Sequence, residues 1–232
     1  MNILSVCTFD ETLQLGLSMD SQFSNRMSRT GTKHSECLMK NIMELLNENE
    51  LKLQDLDLLC CTRGPGSFTG LRIGMSVLKG IAFSCDKPLV SVSTMEVIAH
   101  NLSFFPGTVV PLLDARKQRY YSAVFQQGKR ISPDMDSIPE DLVPYLMNSS
   151  RILFTGPSSR PFAEDVMKLG VIKGEAIIDD CFRSYSESLT TLASMQFQKK
   201  GADDIGQGPV YLRKSEAEAA LDARMREENP NG

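Results

Sequence analysis

The chain reads as an α/β protein of two domains with related topology. Three observations predict this. Short alternating strands come first and are followed by alternating helices and strands, that order of elements occurs twice, and Phe104-Phe-Pro-Gly107 interrupts the two runs. The two halves share negligible residue similarity, so the expectation rests on element order. It assigns residues 1–105 to a first domain and 106–232 to a second, with the terminal helix turned back onto the first.

In the first half, Ile3 to Thr8, Thr12 to Met19 and Gln22 to Ser28 alternate as strands do, with Leu13, Leu15 and Leu17 on one face of the second. Asp10-Glu11 and Asp20-Ser21 supply turns between them, which predicts an antiparallel meander. Leu38, Ile42, Leu45 and Leu46 make a helical stripe over His34 to Asn49, widened by Met39 and Met43. Leu58 to Thr62 is an unbroken apolar run, as expected of a strand buried on both faces. The glycine-dense stretch from Gly64 to Gly74 then opens a helix over Phe68 to Phe83, and Leu89 to Val92 is a further buried strand. Ser93-Thr-Met-Glu96 has the spacing of a capping box for a helix reaching Leu102.

The second half repeats the order. Thr108 to Leu113 and Tyr120 to Gln126 are paired strands, followed by a helix over Pro139 to Met147 and a strand over Arg151 to Thr155. A helix over Pro161 to Leu169, a strand over Ala176 to Ile178 and a helix over Glu187 to Lys199 complete it. Pro209-Val-Tyr-Leu-Arg213 predicts a short strand against the body, and Ser215 to Glu228 a helix before a frayed end.

Composition excludes several classes. No apolar run approaches the ~20 residues of a membrane helix, and the N-terminus lacks the pattern of a secretory signal, so a cytoplasmic protein is expected. A net charge of −4 without a long basic run argues against an autonomous nucleic-acid binder. Arg116-Lys117-Gln118-Arg119 and Lys199-Lys200 read as solvated surface, and Asp114 to Tyr121 as a hairpin with its charges in water. Six scattered cysteines without a CxxC pair read as reduced core thiols, and no metal site is expected.

The glycine stretch fails both standard nucleotide motifs. Gly70 follows Gly64 by six positions and precedes Leu71-Arg72 rather than Lys-Ser, and it lies one position late for a dinucleotide fingerprint. Pro65 and Thr69 stand where a serine nucleophile elbow around Ser67 needs glycines. His34 and His100 lie in separate segments, so neither a metal pair nor a base for Ser67 is evident. What survives is backbone that allows close approach, and a helix N-terminus that favours an anion.

Several stretches are recognisable together: Ile3-Leu4, Lys33-His34-Ser35-Glu36, the eleven residues from Gly64 to Gly74, Asp114-Ala-Arg-Lys117 and Pro209-Val-Tyr-Leu-Arg213. In this order they resemble the bacterial TsaB (YeaZ) family, over nearly the whole chain. The resemblance implies the two-lobed α/β fold of actin, Hsp70 and sugar kinases, and a role in making N6-threonylcarbamoyladenosine beside the tRNA anticodon. It further implies a non-catalytic scaffold, with group transfer performed by TsaD, a metal-containing paralogue. Its partners would be TsaD in a heterodimer, the ATPase TsaE, and a second copy of itself when TsaD is absent. Contact with tRNA would come through the complex only, and no cofactor would bind the chain alone, a nucleotide being placed at the interface of the complex.

Superfamily enzymes carry an aspartate in the first strand, and family members commonly do so where Cys7 stands here, with a small residue at the place of Phe9. A thiol is a poor ligand for a hard metal and a phenyl ring offers a phosphate nothing. Asp10, in the turn, is expected to miss the site. By resemblance, the two first-lobe helices form the partner surface, with His34, Leu38, Met39, Ile42 and Met43 from one and Phe68, Arg72, Met75, Leu78 and Lys79 from the other. Within that set Leu38 and Ile42 can face the sheet while Met39 and Met43 remain for the partner. Gly66, Ser67 and Thr69 are the expected contact for an anion or nucleotide in the complex. Two other readings stand beside this one: a glycoprotease acting through Ser67 or a metal on His34, and a nucleotide-binding kinase relative.

Overall fold

The computed structural model describes every residue except 21, 30, 32 and 214–232, so the predicted terminal helix, Ser215 to Glu228, lies outside the described residues. The first lobe is a five-stranded sheet of β1 (Ile3–Cys7), β2 (Thr12–Met19), β3 (Gln22–Arg29), β4 (Leu58–Gly64) and β5 (Leu89–Ser93), in the order β3-β2-β1-β4-β5. The first three strands are an antiparallel meander, and β4 and β5 join parallel to β1. The second lobe repeats this plan with β6 (Thr108–Asp114), β7 (Tyr120–Ser122), β10 (Met135–Ser137), β11 (Arg151–Thr155) and β12 (Glu175–Asp179), in the order β10-β7-β6-β11-β12. Again a hairpin opens the lobe and two strands join in parallel. The repeat read from element order is therefore a repeat of strand order.

The layers follow from the buried faces. Leu4 and Val6 of β1 point toward α1 (His34–Glu48) and α2 (Phe68–Cys85), while Ile3 and Cys7 point to the opposite side. On that side lie α3 (Thr94–His100) and α6 (Ser186–Lys200), between the two sheets. α4 (Pro139–Leu146) and α5 (Ser159–Lys168) cover the outer face of the second sheet. Because both faces of β1 and β4 are covered, their sequences carry no polar face. The stripe Leu38, Ile42, Leu45 and Leu46 of α1 is buried to within 2%, worth about 2 kcal/mol per side chain. Ser93 caps α3 by accepting from the Glu96 N–H, as the capping-box spacing predicts.

Three expectations change. α6 packs on the first lobe's sheet although it follows the second lobe in the chain, so residues 186–200 leave the 106–232 unit. Gly16 permits this, because a Cβ there would meet Ser5 Oγ at 2.6 Å and Ser186 Cβ at 2.8 Å. The single strand expected over Tyr120 to Gln126 is broken at Ala123-Val124, where Val124 N–H donates to Ser132 Oγ. The rest is β8 (Phe125–Gln126), which pairs with β9 (Lys129–Arg130) through a Gln127-Gly128 turn. Pro209 to Arg213 is not a strand: Val210 N–H reaches the carbonyl of Arg63, but no ladder forms along it.

Candidate functional site: the cleft between the lobes

A cleft of about 790 Å3 lies between the lobes, lined by the β1–β2 turn and α2 entry on one side and by the β6–β7 hairpin and the 180–185 loop on the other. The glycine stretch shapes its first wall. Ser67 N–H donates to the carbonyl of Phe9 at 2.7 Å, and Ser67 Oγ accepts from Gly70 N–H at 3.2 Å, which caps α2. A Cβ at Gly66 would meet Phe9 O at 2.7 Å, and side chains at Gly70 or Gly74 would collide with Thr8. The glycines thus let α2 start directly against the end of β1, the close backbone approach that only glycine permits.

At the end of β1, beside the α2 entry, the residues are Cys7, Thr8 and Phe9. Cys7 is fully buried in the layer between the sheets, and burial, reinforced by Asp10 and Cys61, pushes its thiol well up. Phe9 is 2% exposed, with its ring centroid 5.6 Å from that of Tyr185. Tyr185 is held by its N–H on Gln14 Oε1 at 2.7 Å, and burial, then Asp10 and Asp179, pushes its hydroxyl up. The wall at this corner is aromatic, with Phe9 and Tyr185 both nearly buried.

Asp10 reaches the cleft after all. The strand ends at Cys7, so strand alternation no longer decides which way the turn faces, and Asp10 lines the opening while its Oδ1 accepts from Thr12 N–H at 2.7 Å. Burial raises its pKa, against the Thr12 hydrogen bond and the pull of His34. His34 is buried, with Nε2 2.8 Å from the Asp10 carbonyl.

The opposite wall carries charge. Asp114 Oδ1 accepts from Arg116 N–H at 2.7 Å, and Arg116, Lys117 and Gln118 hold φ values of 65°, 55° and 58°. Three successive non-glycine residues in the left-handed region cost roughly 1–2 kcal/mol each, and the turn carries Arg116 and Lys117 to the cleft mouth. The predicted hairpin is present, but these two cations line the cleft. Deeper in the second lobe, Arg183 makes paired hydrogen bonds to Asp179 at 2.9 and 3.1 Å, and Thr155 Oγ1 donates to it at 3.0 Å. Burial works to raise the Asp179 pKa, and the Arg183 and Thr155 bonds more than offset it, leaving it lowered. Sequence reasoning missed this loop; its only signal was an aromatic and an arginine, Phe182-Arg183, one residue after the pair Asp179-Asp180.

The expected partner residues divide. Met39 and Met43 are exposed at 40% and 36%, side by side on α1. Leu38, Ile42, Met75 and Leu78 are 0–4% exposed in the core between α1, α2 and the sheet, and His34 is 3% exposed. Leu38, Ile42, Met75 and Leu78 are corrected to interior residues, because the two helices need them to cover the first lobe's sheet, and His34 to a buried side chain at the cleft, bonded to the Asp10 carbonyl. Phe68, Arg72 and Lys79 are engaged within the chain: Phe68 stacks on Tyr211 at 4.2 Å, Arg72 Nε donates to Tyr211 Oη at 3.0 Å, and Lys79 Nζ donates to the carbonyls of Ile205 and Gln207 at 2.6 Å. Gly66, Ser67 and Thr69 all line the cleft.

Two lobes of one strand order around a cleft, with α3 and α6 packed between the sheets, define a two-lobed α/β protein. A family model described as TsaD, tRNA N6-adenosine threonylcarbamoyltransferase, matches residues 28–205, and the TsaB protein of Bacillus subtilis is 31% identical over 94% of this chain and 97% of its own length. The chain belongs to the TsaB (YeaZ) family, whose curated members are named tRNA threonylcarbamoyladenosine biosynthesis proteins. The Escherichia coli TsaB is 30% identical over 56% of this chain and 57% of its own. A crystal structure from Pseudomonas aeruginosa, described as an uncharacterized protein with similarity to peptidase YEAZ, shares the fold at a TM-score of 0.75, with 23% identity over 91% of this chain and 99% of that one. No helix among the described residues is long and apolar enough to cross a membrane.

Proposed function

We propose that this chain is a non-catalytic scaffold subunit of the cytoplasmic complex that transfers a threonylcarbamoyl group to N6 of adenosine beside the tRNA anticodon. It pairs with a TsaD-type transferase and lets the TsaE ATPase join; tRNA is met through the complex. The observation that carries the reading is the closed corner at Cys7 and Phe9. The thiol is sealed between the sheets with a raised pKa, and Phe9 and Tyr185 fill the space beside it. Metal and phosphate chemistry therefore has no first-strand carboxylate to start from. A nucleotide or other anion near Gly66, Ser67 and Thr69 would need a partner to complete its site.

The partner surface is the outer face of α1 and α2. Met39 and Met43 present adaptable side chains on α1, and Ile73 and Val77 of α2 are partly exposed. A second copy would use the same face when the transferase is absent. Met39→Glu with Met43→Glu changes only exposed positions, so the variant is expected to melt like the parent and to lose co-purification with TsaD. Retained co-purification would contradict the placement.

A further inference from the structure

The stretch from Asp203 to Arg213 has no regular secondary structure, yet it is fastened along its length to both lobes. At its start, Asp203 N–H donates to the Leu89 carbonyl at 2.9 Å, and Asp203 Oδ2 accepts from Ser91 N–H at 2.7 Å and Ser91 Oγ at 2.6 Å. Lys79 of α2 then holds the carbonyls of Ile205 and Gln207. Further on, Val210 N–H donates to Arg63 O at 2.7 Å and Tyr211 sits under Arg72 and against Phe68. All of this is first lobe. Arg213 then crosses to the second: its Nη1 donates to the Ala115 carbonyl at 2.7 Å, and its Nε lies 3.4 Å from Asp136 Oδ2, an aspartate that Arg119 also engages at 2.9 Å.

Arg213 thus ends on the strained Arg116–Gln118 turn, at the cleft mouth. Three left-handed residues in succession persist only where their surroundings hold them, and the Arg213 bond to Ala115 and the shared Asp136 are part of that hold. We propose that residues 203–213 form a strap that couples the α2 surface to the cleft: loosening the strap on α2 releases Arg213 and, with it, the cleft-lining hairpin of the second lobe. A partner that takes Phe68, Arg72 or Lys79 into its own contacts has to displace the strap, so docking on α2 changes the cleft that Phe68, Tyr211 and Arg213 line. The coupling is a property of the isolated chain and stands apart from the scaffold reading.

Amide exchange on the isolated full chain tests it. Ala115 N–H and Arg119 N–H are bonded within the hairpin, to Arg119 O and Arg116 O, and report on its opening. Arg213→Ala cuts the strap at the hairpin and is expected to speed their exchange about tenfold, as for a local opening that has lost its anchor. Arg72→Ala with Lys79→Ala cuts it only on α2, away from the hairpin, and is expected to speed the same two amides by a similar factor while the amides of β1 and β4 stay as in the parent. Hairpin exchange unchanged in the α2 variant would overturn the coupling and leave Arg213 a local contact. Should Arg213→Ala not fold, Arg213→Lys keeps the charge but not the paired geometry, and is expected to give an intermediate rate in the hairpin; a parental rate would count against the strap.

Discussion

Cys7, Phe9 and Asp10 stand at the end of β1 beside the α2 entry, and each is set by its surroundings. Cys7 is core and Phe9 is a plug against Tyr185. Asp10 is a carboxyl in a cleft that burial discourages from ionising. The sign of that effect is testable. A carboxyl whose folded pKa lies above its unfolded value favours the fold while protonated, so its stabilising share is complete below about pH 4 and is lost as pH rises through the folded pKa. Asp10→Asn removes the charge and keeps an oxygen for Thr12 N–H. The variant is therefore expected to gain melting temperature over the parent at pH 7 and to gain less at pH 4. An equal offset at both values would mean that the Asp10 ionisation does not act on stability.

Among the elements, α2 shows why a glycine-dense stretch needs its structure before it can be read. Spacing excludes the nucleotide motifs from the residues alone, but it cannot say what the glycines are for. The reason is contact across the fold: Gly66, Gly70 and Gly74 face Phe9 and Thr8, some sixty residues earlier in the chain. Gly80 is the counter-example, with nothing within 4 Å of a Cβ built there. Gly70→Ala is expected to destabilise by about 2 kcal/mol or more, because backbone stands in the way, and Gly80→Ala to stabilise by up to about 1 kcal/mol, because it removes a mid-helix glycine. Chemical denaturation of the two variants measures both. A tolerated Gly70→Ala would contradict the close docking of α2 on Thr8. The same limit separates α1 from its partner reading. Periodicity finds Leu38, Ile42, Leu45 and Leu46 as one face and leaves Met39 and Met43 outside it, but it cannot tell that Met75 and Leu78 of α2 are spent on the shared core.

For the whole molecule, local order was legible and long-range assembly was not. Element order alone points to two lobes, since each sheet is built from consecutive strands. The return of α6 to the first sheet leaves no mark in its own residues, because it depends on the absence of a side chain at Gly16 and on packing against β1, β4 and β5. The strap is hidden for the same reason: Lys79, Arg72 and Arg213 are ordinary surface cations until the fold brings the carbonyls of Ile205 and Gln207 to Lys79, the Tyr211 hydroxyl to Arg72 and the carbonyl of Ala115 to Arg213. The result is a two-lobed chain with a cleft between the lobes, an aromatic corner at Phe9 and Tyr185 and an exposed methionine pair on α1.

That combination makes one demand. In a reconstituted reaction containing tRNA, threonine, bicarbonate, ATP, an enzyme that makes threonylcarbamoyl-adenylate from the last three, TsaD and TsaE, formation of N6-threonylcarbamoyladenosine is expected to require this chain, and this chain with that enzyme but without TsaD is expected to form none. Modification at full rate without this chain, or by this chain in the absence of TsaD, would contradict the scaffold account.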